Sequence, residues 1–286
     1  SVMNQPTLNS GGGFFRARID LSYDGTNFSG WGKQRDQRTV QGEVESALFT
    51  LFQQNLETTV AGRTDAGVHA TGQVFHVDLP DIDQGDLVYR LNRILSDEIR
   101  IKSVQKVSSD FHARFGALRR HYIYKIIDGN RAIDPLKRFD IAPWYRELDI
   151  EKMNKAAEML IGERDFFSFA RFRENSTTIR DLQRFTFSRD ESGLITAEIS
   201  ADAFLYNMVR SLIGAMVYVG EGRFPIEWAK EVLEQRERPS DSVVFPANGL
   251  TFVGVDYPEN SQIAARVAKT MALRKSNNDL DEQDEE

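Results

Sequence analysis

The order in which strand-like and helix-like apolar patterns follow one another along residues 15–107 constrains the fold of this chain most. Apolar and polar side chains alternate over residues 15–23, which is typical of a half-buried strand. Thr39 can then cap a helix in which Val40 and Val44 begin an apolar face at helical spacing. Further patterns indicate strands at 58–61 and 73–79, a helix at 86–95 and a strand at 99–107. The order strand, helix, strand, strand, helix, strand predicts a ferredoxin-like α+β unit.

The same element order recurs in residues 111–258 with one extra helix. Strand-like patterns occupy 122–126, 178–188, 194–201 and 250–257, and helix-like patterns occupy 150–161, 205–219 and a shorter stretch opened by Pro225. We therefore expect two ferredoxin-like domains, residues 14–110 and residues 111–258. Side by side, the two halves would form an extended antiparallel sheet with helices on one face and an active-site cleft between the halves.

Both ends of the chain lack such patterns. Residues 1–13 are rich in Ser, Asn and Gly, which predicts a flexible N-terminus. After a short basic helix expected at 262–273, residues 279–286 hold six acids and no base. We expect residues 259–286 to form a flexible acidic C-terminal tail. Because the acids at its end account for most of the net charge of −7, the rest of the chain is close to neutral.

The residue types that are absent exclude several kinds of protein. The chain has no cysteine, which excludes a disulfide framework, a thiolate metal site and a cysteine nucleophile. Its four histidines show no i, i+4 pair, so we predict no metal site. No apolar run approaches the length of a membrane span. We therefore expect a cytoplasmic protein that has no membrane partner.

A basic segment lies within the otherwise nearly neutral chain. Residues 111–138 hold seven Lys or Arg against two acids, and Arg114, Arg119 and Arg120 are closely spaced among them. Such a local cluster of cations suits contact with phosphates. It also suits a well-solvated protein surface, and charge alone does not separate the two interpretations.

The stretch most suggestive of chemistry is the loop expected between the second and third strands, which reads AGRTDAGVHA over residues 61–70. Small residues let a backbone approach a ligand closely or adopt positive φ angles. The loop sets one carboxylate, Asp65, two residues after one guanidinium, Arg63. By itself, this pattern is more typical of a tight turn with a surface ion pair. It is accompanied by no serine-nucleophile motif and no phosphate-binding glycine loop.

Together with motifs elsewhere in the chain, this loop resembles the signature of the tRNA pseudouridine synthase A family. The other motifs that carry the resemblance are YDGTNF at 23–28, GW at 30–31, TVQGE at 39–43, FHARF at 111–115, RHYIY at 120–124, FFSF at 166–169, FLYNMVR at 204–210, NGL at 248–250 and VDY at 255–257. They follow the family's order and spacing over residues 15–258. The resemblance implies an isomerase that converts a flipped-out uridine to pseudouridine in the anticodon stem–loop of tRNA, at about positions 38–40.

The resemblance also implies roles for particular residues and a state of assembly. Asp65 would be the catalytic carboxylate, and Arg63 would pair with it. Tyr122 would contact the target base, and Arg210 would complete the ion-pair arrangement around the carboxylate. The family works without a cofactor, as a homodimer whose two subunits both contact the tRNA.

The chemistry of these residue types fits the implied roles. Moving the ribose bond of uridine from the base nitrogen to C5 needs one anionic carboxylate, which either attacks C1′ or removes a proton from C2′, and both routes stay open. Arg63 would keep Asp65 ionised as its surroundings lose water. Arg210 interrupts an apolar helix, and buried arginines usually have an anionic partner, which we expect to be Asp65 across the cleft. Further candidate tRNA contacts are Arg114, Arg119 and Arg120.

Two other functions stay open at this point. A catalytically silent tRNA-binding protein would use the arginines and the aromatic residues, but it would not need a lone carboxylate near phosphates. A ribosyl hydrolase acting at the same C1′ atom would need a second acid and a path for water, and the sequence nominates no second acid.

Overall fold

The structure is a computed structural model, and it describes residues 13–171, 177–240 and 242–276. Residues 1–12 of the predicted flexible N-terminus and the acidic residues 279–286 lie outside the described residues. By their internal contacts, the described residues divide into two compact units. Unit 1 comprises residues 13–118 and 254–276, and unit 2 comprises residues 119–253.

Ten strands and six α-helices make up the described chain. The strands are β1 (Phe14–Tyr23), β2 (Thr59–Val60), β3 (His69–Pro80), β4 (Ile99–Val107), β5 (Arg119–Asp128), β6 (Ala142–Trp144), β7 (Gly162–Asp165), β8 (Ile179–Arg189), β9 (Ile195–Ala201) and β10 (Leu250–Asp256). The helices are α1 (Val40–Phe52), α2 (Leu87–Ile94), α3 (Ile150–Glu158), α4 (Met208–Gly220), α5 (Trp228–Gln235) and α6 (Ile263–Ser276). None of these described helices has the length and apolar character needed to cross a membrane.

Unit 1 is built on antiparallel strands in the order β4-β1-β3, with the short β2 paired to β3. β1 lies in the middle, where Ile19 opposes Phe75 of β3 and Val104 of β4. Ile19 and Leu21 are fully buried, which explains the clear alternation in the sequence. Thr39 caps α1 as predicted, since its Oγ1 accepts the N–H of Gly42 at 3.1 Å.

The C-terminal helix α6 belongs to unit 1. Its Ile263 is buried in an apolar cluster with Val74 and Phe111. The guanidinium of Arg266 donates to the carbonyl of Ala117 at 3.2 Å. The basic helix expected near the C-terminus is therefore present, and its first turns pack against the unit.

Unit 2 is built on antiparallel strands in the order β5-β9-β8-β7, with the short β6 parallel to β5. α3 packs against α4 and β8. α4 is almost wholly buried, and at Gly214 it approaches the carbonyl of Val243 so closely that a Cβ atom would clash with it. Helices combined with mostly antiparallel strands in both units confirm the predicted α+β class.

Some element boundaries differ from the prediction for reasons of local backbone geometry. α4 begins at Met208 rather than at 205, because Asn207 has a left-handed φ of 62° that a helix does not accommodate. α3 ends at Glu158 rather than at 161, and β7 then starts at Gly162 with a φ of +118°. β6 and β7 are three and four residues long, too short to show alternation in the sequence.

A buried ion pair joins strands and a loop of unit 2. The side chain of Asp128 at the end of β5 has no exposed surface, and its two oxygens accept hydrogen bonds from Arg189 at 2.6 and 2.9 Å. The N–H of Leu148 donates a third bond at 2.8 Å. Burial by itself would raise the pKa of Asp128, but the bonds from Arg189 and Leu148 outweigh it and hold the pKa below its usual value.

Replacing Asp128 by Asn should destabilise the fold strongly, because it leaves the partly buried Arg189 without its anion. We expect a loss of about 3–5 kcal/mol in the free energy of unfolding at neutral pH, measured by urea denaturation. Since the carboxyl pKa is lower in the folded state, the contribution is present above the unfolded-state pKa and disappears as the pH falls through the folded-state value. The wild type and the variant should therefore converge in acid.

The matched control for this variant is Glu151→Gln, which removes one partner of an exposed pair with Lys155 on α3. Its free energy of unfolding should change by less than about 0.5 kcal/mol. A loss for Asp128→Asn as small as that of the control would contradict the importance of the buried pair.

Candidate active site

The loop that carries Arg63 and Asp65 joins β2 to β3 in unit 1. β3 begins at His69, earlier than predicted, so the loop is confined to residues 61–68. Asp65 is half-buried, whereas Arg63 is exposed. The N–H of Val68 donates to the carbonyl of Asp65 at 3.1 Å, which closes a turn directly after the carboxylate-bearing residue.

A second loop, residues 24–32, holds this loop through backbone hydrogen bonds. The N–H of Trp31 donates to the carbonyl of Thr64 at 3.0 Å. The N–H of Gly67 donates to the carbonyl of Phe28 at 3.3 Å. One bond lies on each side of Asp65 in the sequence, so the backbone around the carboxylate is fixed from both directions.

Two glycines of the second loop make this close contact possible. A Cβ atom at Gly30 would lie 2.7 Å from the carbonyl oxygen of Thr64, and one at Gly25 would clash with the carbonyl oxygen of Val68. Gly30 also has a φ of +86°, a conformation that residues with a side chain rarely adopt. A residue with a side chain at either position would therefore displace the Asp65 loop.

Three buried polar side chains form a network with the same loop. The hydroxyl of Tyr23 on β1 lies 2.7 Å from Oγ1 of Thr64. Nε2 of Gln73 on β3 donates to the Tyr23 oxygen at 3.2 Å and to the carbonyl of Gly62 at 2.8 Å. Burial raises the pKa of Tyr23 to about 12 against the smaller, opposing effect of the bonds with Thr64 and Gln73, so the phenol stays neutral. Sequence reasoning missed this network, although it placed Tyr23 among the inward residues of its strand.

Arg63 lies against the backbone of Gly32. A Cβ atom at Gly32 would lie 3.1 Å from Nη1 and 3.4 Å from Cζ of Arg63. The absence of a side chain at this position therefore leaves room for the guanidinium. Its pairing with Asp65 stays a prediction.

Unit 2 carries Tyr122 and Arg210. Tyr122 on β5 is 8% exposed, and its ring packs edge-on against Phe204 and Phe252, with centroids 5.1 and 5.0 Å away. Arg210 is half-buried in the first turn of α4. Its Nε donates to the carbonyl of Phe245 at 2.7 Å, and the N–H of Phe245 donates back to the carbonyl of Arg210 at 3.1 Å. The first bond fixes one edge of the guanidinium, and the second joins the backbones of the two residues.

The three arginines of the basic segment differ in their surroundings. The guanidinium of Arg114 in unit 1 lies 5.2 Å from the centre of the Phe115 ring. Arg119 is exposed, whereas Arg120 is half-buried and donates to the carbonyl of Asp202 at 2.7 Å. The predicted site residues thus divide between unit 1, with Arg63, Asp65 and Arg114, and unit 2, with Arg119, Arg120, Tyr122 and Arg210.

The histidines make structural contacts through their Nδ1 atoms. These atoms accept backbone N–H groups at 2.9 Å in His69, His76 and His112, and the Nδ1 of His121 lies 2.6 Å from Oγ of Ser200. Burial, together with the nearby charges of Arg16 and His112, lowers the pKa of His76 to about 3. In the part of the chain that the structure describes, no cluster of three or more His, Asp or Glu side chains could hold a metal ion.

Comparison with known proteins finds close relatives over most of the chain. The family model described as tRNA pseudouridine synthase matches residues 21–116 and 156–258. A protein of Frankia casuarinae named tRNA pseudouridine synthase A is 48% identical over 264 residues, which cover 92% of this chain and 96% of that protein. Proteins with the same name from Streptomyces griseus and Mycobacterium leprae are 46% and 45% identical. Their alignments cover 92% and 91% of this chain and 95% and 96% of the two proteins.

Gly30→Ala should destabilise the protein by about 3 kcal/mol, because it combines a strained positive φ with a clash against the Thr64 carbonyl. The control is Gly85→Ala, which has a φ of +71° and open space around the added Cβ, so it tests backbone strain alone. That variant should lose only about 1 kcal/mol. Urea denaturation measures both, and equal losses would show that the contact between the loops is not tight.

Proposed function

The chain belongs to the tRNA pseudouridine synthase family and converts uridine to pseudouridine in tRNA, and we propose that its targets are flipped-out uridines of the anticodon stem–loop, at about positions 38–40. We assign the catalytic role to Asp65. The observation that carries this assignment is the position of the half-buried Asp65 on a loop that Trp31 and Phe28 fix by backbone bonds on either side of it. A surface ion pair in an ordinary turn would not need such restraint.

The isomerisation requires one carboxylate and conserves the atoms of the nucleoside. The bond between C1′ and N1 breaks, the uracil turns, and C5 bonds to C1′. The proton on C5 then leaves to solvent while N1 gains a proton. Asp65 assists the first step either by attacking C1′, which forms a covalent ester, or by removing the proton from C2′.

The two arginines in this proposal keep the carboxylate ionised and oriented. Arg63, two residues away on the same loop, opposes the rise in pKa that loss of water would cause at Asp65. Arg210 is the second partner. The bond from its Nε to the carbonyl of Phe245 at 2.7 Å supports this role, because it pre-orients the planar guanidinium for pairing with a carboxylate.

Tyr122 is proposed to contact the target base. A uridine in a stem must leave the base stack before its C1′ is accessible, and an apolar aromatic surface replaces the lost stacking. The ring of Tyr122 is held between Phe204 and Phe252. This fixed position supports the proposal that the ring forms the aromatic surface for the base. The uridine would enter the cleft predicted between two ferredoxin-like halves, residues 14–110 and 111–258.

The remaining predicted features belong to the same proposal. Phosphates of the tRNA would be bound by Arg114, Arg119 and Arg120. The enzyme would act as a homodimer without a cofactor or a metal ion, and in the cytoplasm. Of the three arginines, Arg119 is the most exposed and is the best suited to a direct phosphate contact.

Asp65→Asn should abolish catalysis while leaving tRNA binding largely intact. The assay incubates the protein with unmodified tRNA tritiated at C5 of uridine and measures tritium released to water. We expect release by the wild type, none by Asp65→Asn, and a tRNA affinity of the variant within about tenfold of the wild type, or about 1.4 kcal/mol. Asp97→Asn, at an exposed aspartate of the same unit, is the control and should keep full activity.

Each other outcome of this assay points to a different function. A folded wild type that binds tRNA but releases no tritium would indicate a silent binding protein. Free uracil among the products would indicate a ribosyl hydrolase. Loss of tRNA binding in Asp65→Asn would mean that Asp65 is structural.

The contribution of the basic segment can be measured by the salt dependence of tRNA binding. The slope of log Kd against log salt concentration should fall in magnitude by about 0.7–0.9 in Arg119→Gln, because one phosphate contact is lost. Lys155→Gln removes an exposed cation of α3 outside the segment and should leave the slope unchanged. Equal slopes for the wild type and Arg119→Gln would exclude Arg119 from the phosphate contacts.

A further inference from the structure

A chain of hydrogen bonds leads from β3 through β1 to the residue before Asp65. Gln73 donates to the oxygen of Tyr23 at 3.2 Å, and the hydroxyl of Tyr23 lies 2.7 Å from Oγ1 of Thr64. Gln73 and Thr64 are 0% and 6% exposed, and Tyr23 is 4% exposed. These three hydrogen-bonded side chains are therefore shielded from bulk water.

The bonds of the Gln73 amide set which of its ends donates. Oε1 of Gln73 accepts the N–H of Val74 at 3.2 Å, so its amide nitrogen is the donating end. The two hydrogens of that nitrogen go to the carbonyl of Gly62 and to the oxygen of Tyr23. The bond between the Tyr23 oxygen and Oγ1 of Thr64 completes the series, and either hydroxyl can be its donor.

This series of hydrogen bonds binds the loop of Asp65 at two residues. Gln73 binds the carbonyl of Gly62, and Tyr23 binds the side chain of Thr64, so the bonds bracket Arg63 and end directly before Asp65. The carbonyl of Thr64 also accepts the N–H of Trp31 at 3.0 Å. Thr64 is thus held by its side chain and its main chain at once.

Stability of the loop alone does not require three buried polar side chains. Apolar side chains of the same volume stabilise a core as well or better, because each polar group must recover the hydrogen bonds that it loses to water. Polar bonds differ from apolar contacts in that they fix distance and direction. Carboxylate catalysis needs such positioning, since a displacement of about 1 Å from the reacting atom can cost about 100-fold in rate.

We propose that Tyr23, Thr64 and Gln73 are positioning residues that set the place of the Asp65 carboxylate through the backbone of residues 62–65. This inference rests on the proposed function of Asp65. Tyr23 and Gln73 act through Thr64 and Gly62 and do not touch the substrate. The phenol of Tyr23 stays neutral, and so keeps its hydroxyl, over the whole range of pH in which the enzyme could work.

The test compares Tyr23→Phe, Thr64→Val and Thr64→Ser with the full-length wild type. Tyr23→Phe removes the phenolic hydroxyl, Thr64→Val removes the hydroxyl of Thr64 at nearly constant volume, and Thr64→Ser keeps that hydroxyl. Three quantities are measured for each protein: the single-turnover rate of tritium release at saturating tRNA, the Kd for tRNA, and the midpoint of thermal unfolding.

We expect Tyr23→Phe and Thr64→Val to lower the single-turnover rate by about 10- to 100-fold, with a Kd within about threefold of the wild type. Thr64→Ser should keep the rate within about threefold of the wild type, because it keeps the hydrogen bond with Tyr23. The double variant Tyr23→Phe with Thr64→Val should be no slower than the slower single variant, since both break the same bond.

The control is Tyr257→Phe in the same unit, whose lost hydroxyl donates to the carbonyl of Ala113 at 2.6 Å. It removes a comparable hydrogen bond from a segment other than the catalytic loop. Its thermal midpoint should fall while its single-turnover rate stays at the wild-type value.

Two results would overturn the inference while leaving the proposed function intact. One is a wild-type rate in both Tyr23→Phe and Thr64→Val with a lowered thermal midpoint, which is the pattern of a purely structural network. The other is a rate for Thr64→Ser as low as that for Thr64→Val. If Tyr23→Phe does not fold, the two Thr64 variants decide the question. A wild type that releases no tritium would instead refute the proposed function, and the inference with it.

Discussion

The contact between two backbone loops in unit 1 is the constraint on which the candidate site depends. The loop of residues 61–68 carries Asp65, and the loop of residues 24–32 holds it at Thr64 and Gly67. At Gly30 the two backbones are so close that a methyl group would not fit. A catalytic carboxylate on a free loop would sample many positions, whereas this loop is confined on both sides.

Side chains of two strands add further hydrogen bonds to the Asp65 loop. The side chain of Thr64 is bound from β1 by Tyr23, and the carbonyl of Gly62 is bound from β3 by Gln73. Both strands lie in the antiparallel sheet of unit 1, with Leu21 opposite Gln73 in the register. The sheet therefore serves as the rigid frame, and Asp65, the residue proposed to be catalytic, lies on a short loop fixed to it.

Unit 2 follows the same principle with different groups. Arg210 lies in a helix that is mostly apolar. The bond from its Nε to the carbonyl of Phe245 orients the guanidinium, and a backbone bond ties Phe245 to the helix. Tyr122 is held by two edge-on aromatic neighbours rather than by polar bonds. Two of these supporting residues, Phe245 and Phe252, lie outside the motifs, because their importance comes from contact and not from their own chemistry.

The sequence by itself determined the α+β class, the order of the helices and of the strands other than β6 and β7, and the capping of α1 by Thr39, and it nominated the residues of the candidate site. These features depend on local periodicity or on short motifs, and residues close together in the sequence are enough to define both. Tertiary structure decided where β3 begins, where α4 begins, and which groups hold the Asp65 loop. The bonds of that loop join residues 41 and 50 positions apart, such as Tyr23 with Thr64 and with Gln73. No local pattern encodes such pairs, because they exist only once the strands have paired and buried their polar groups together.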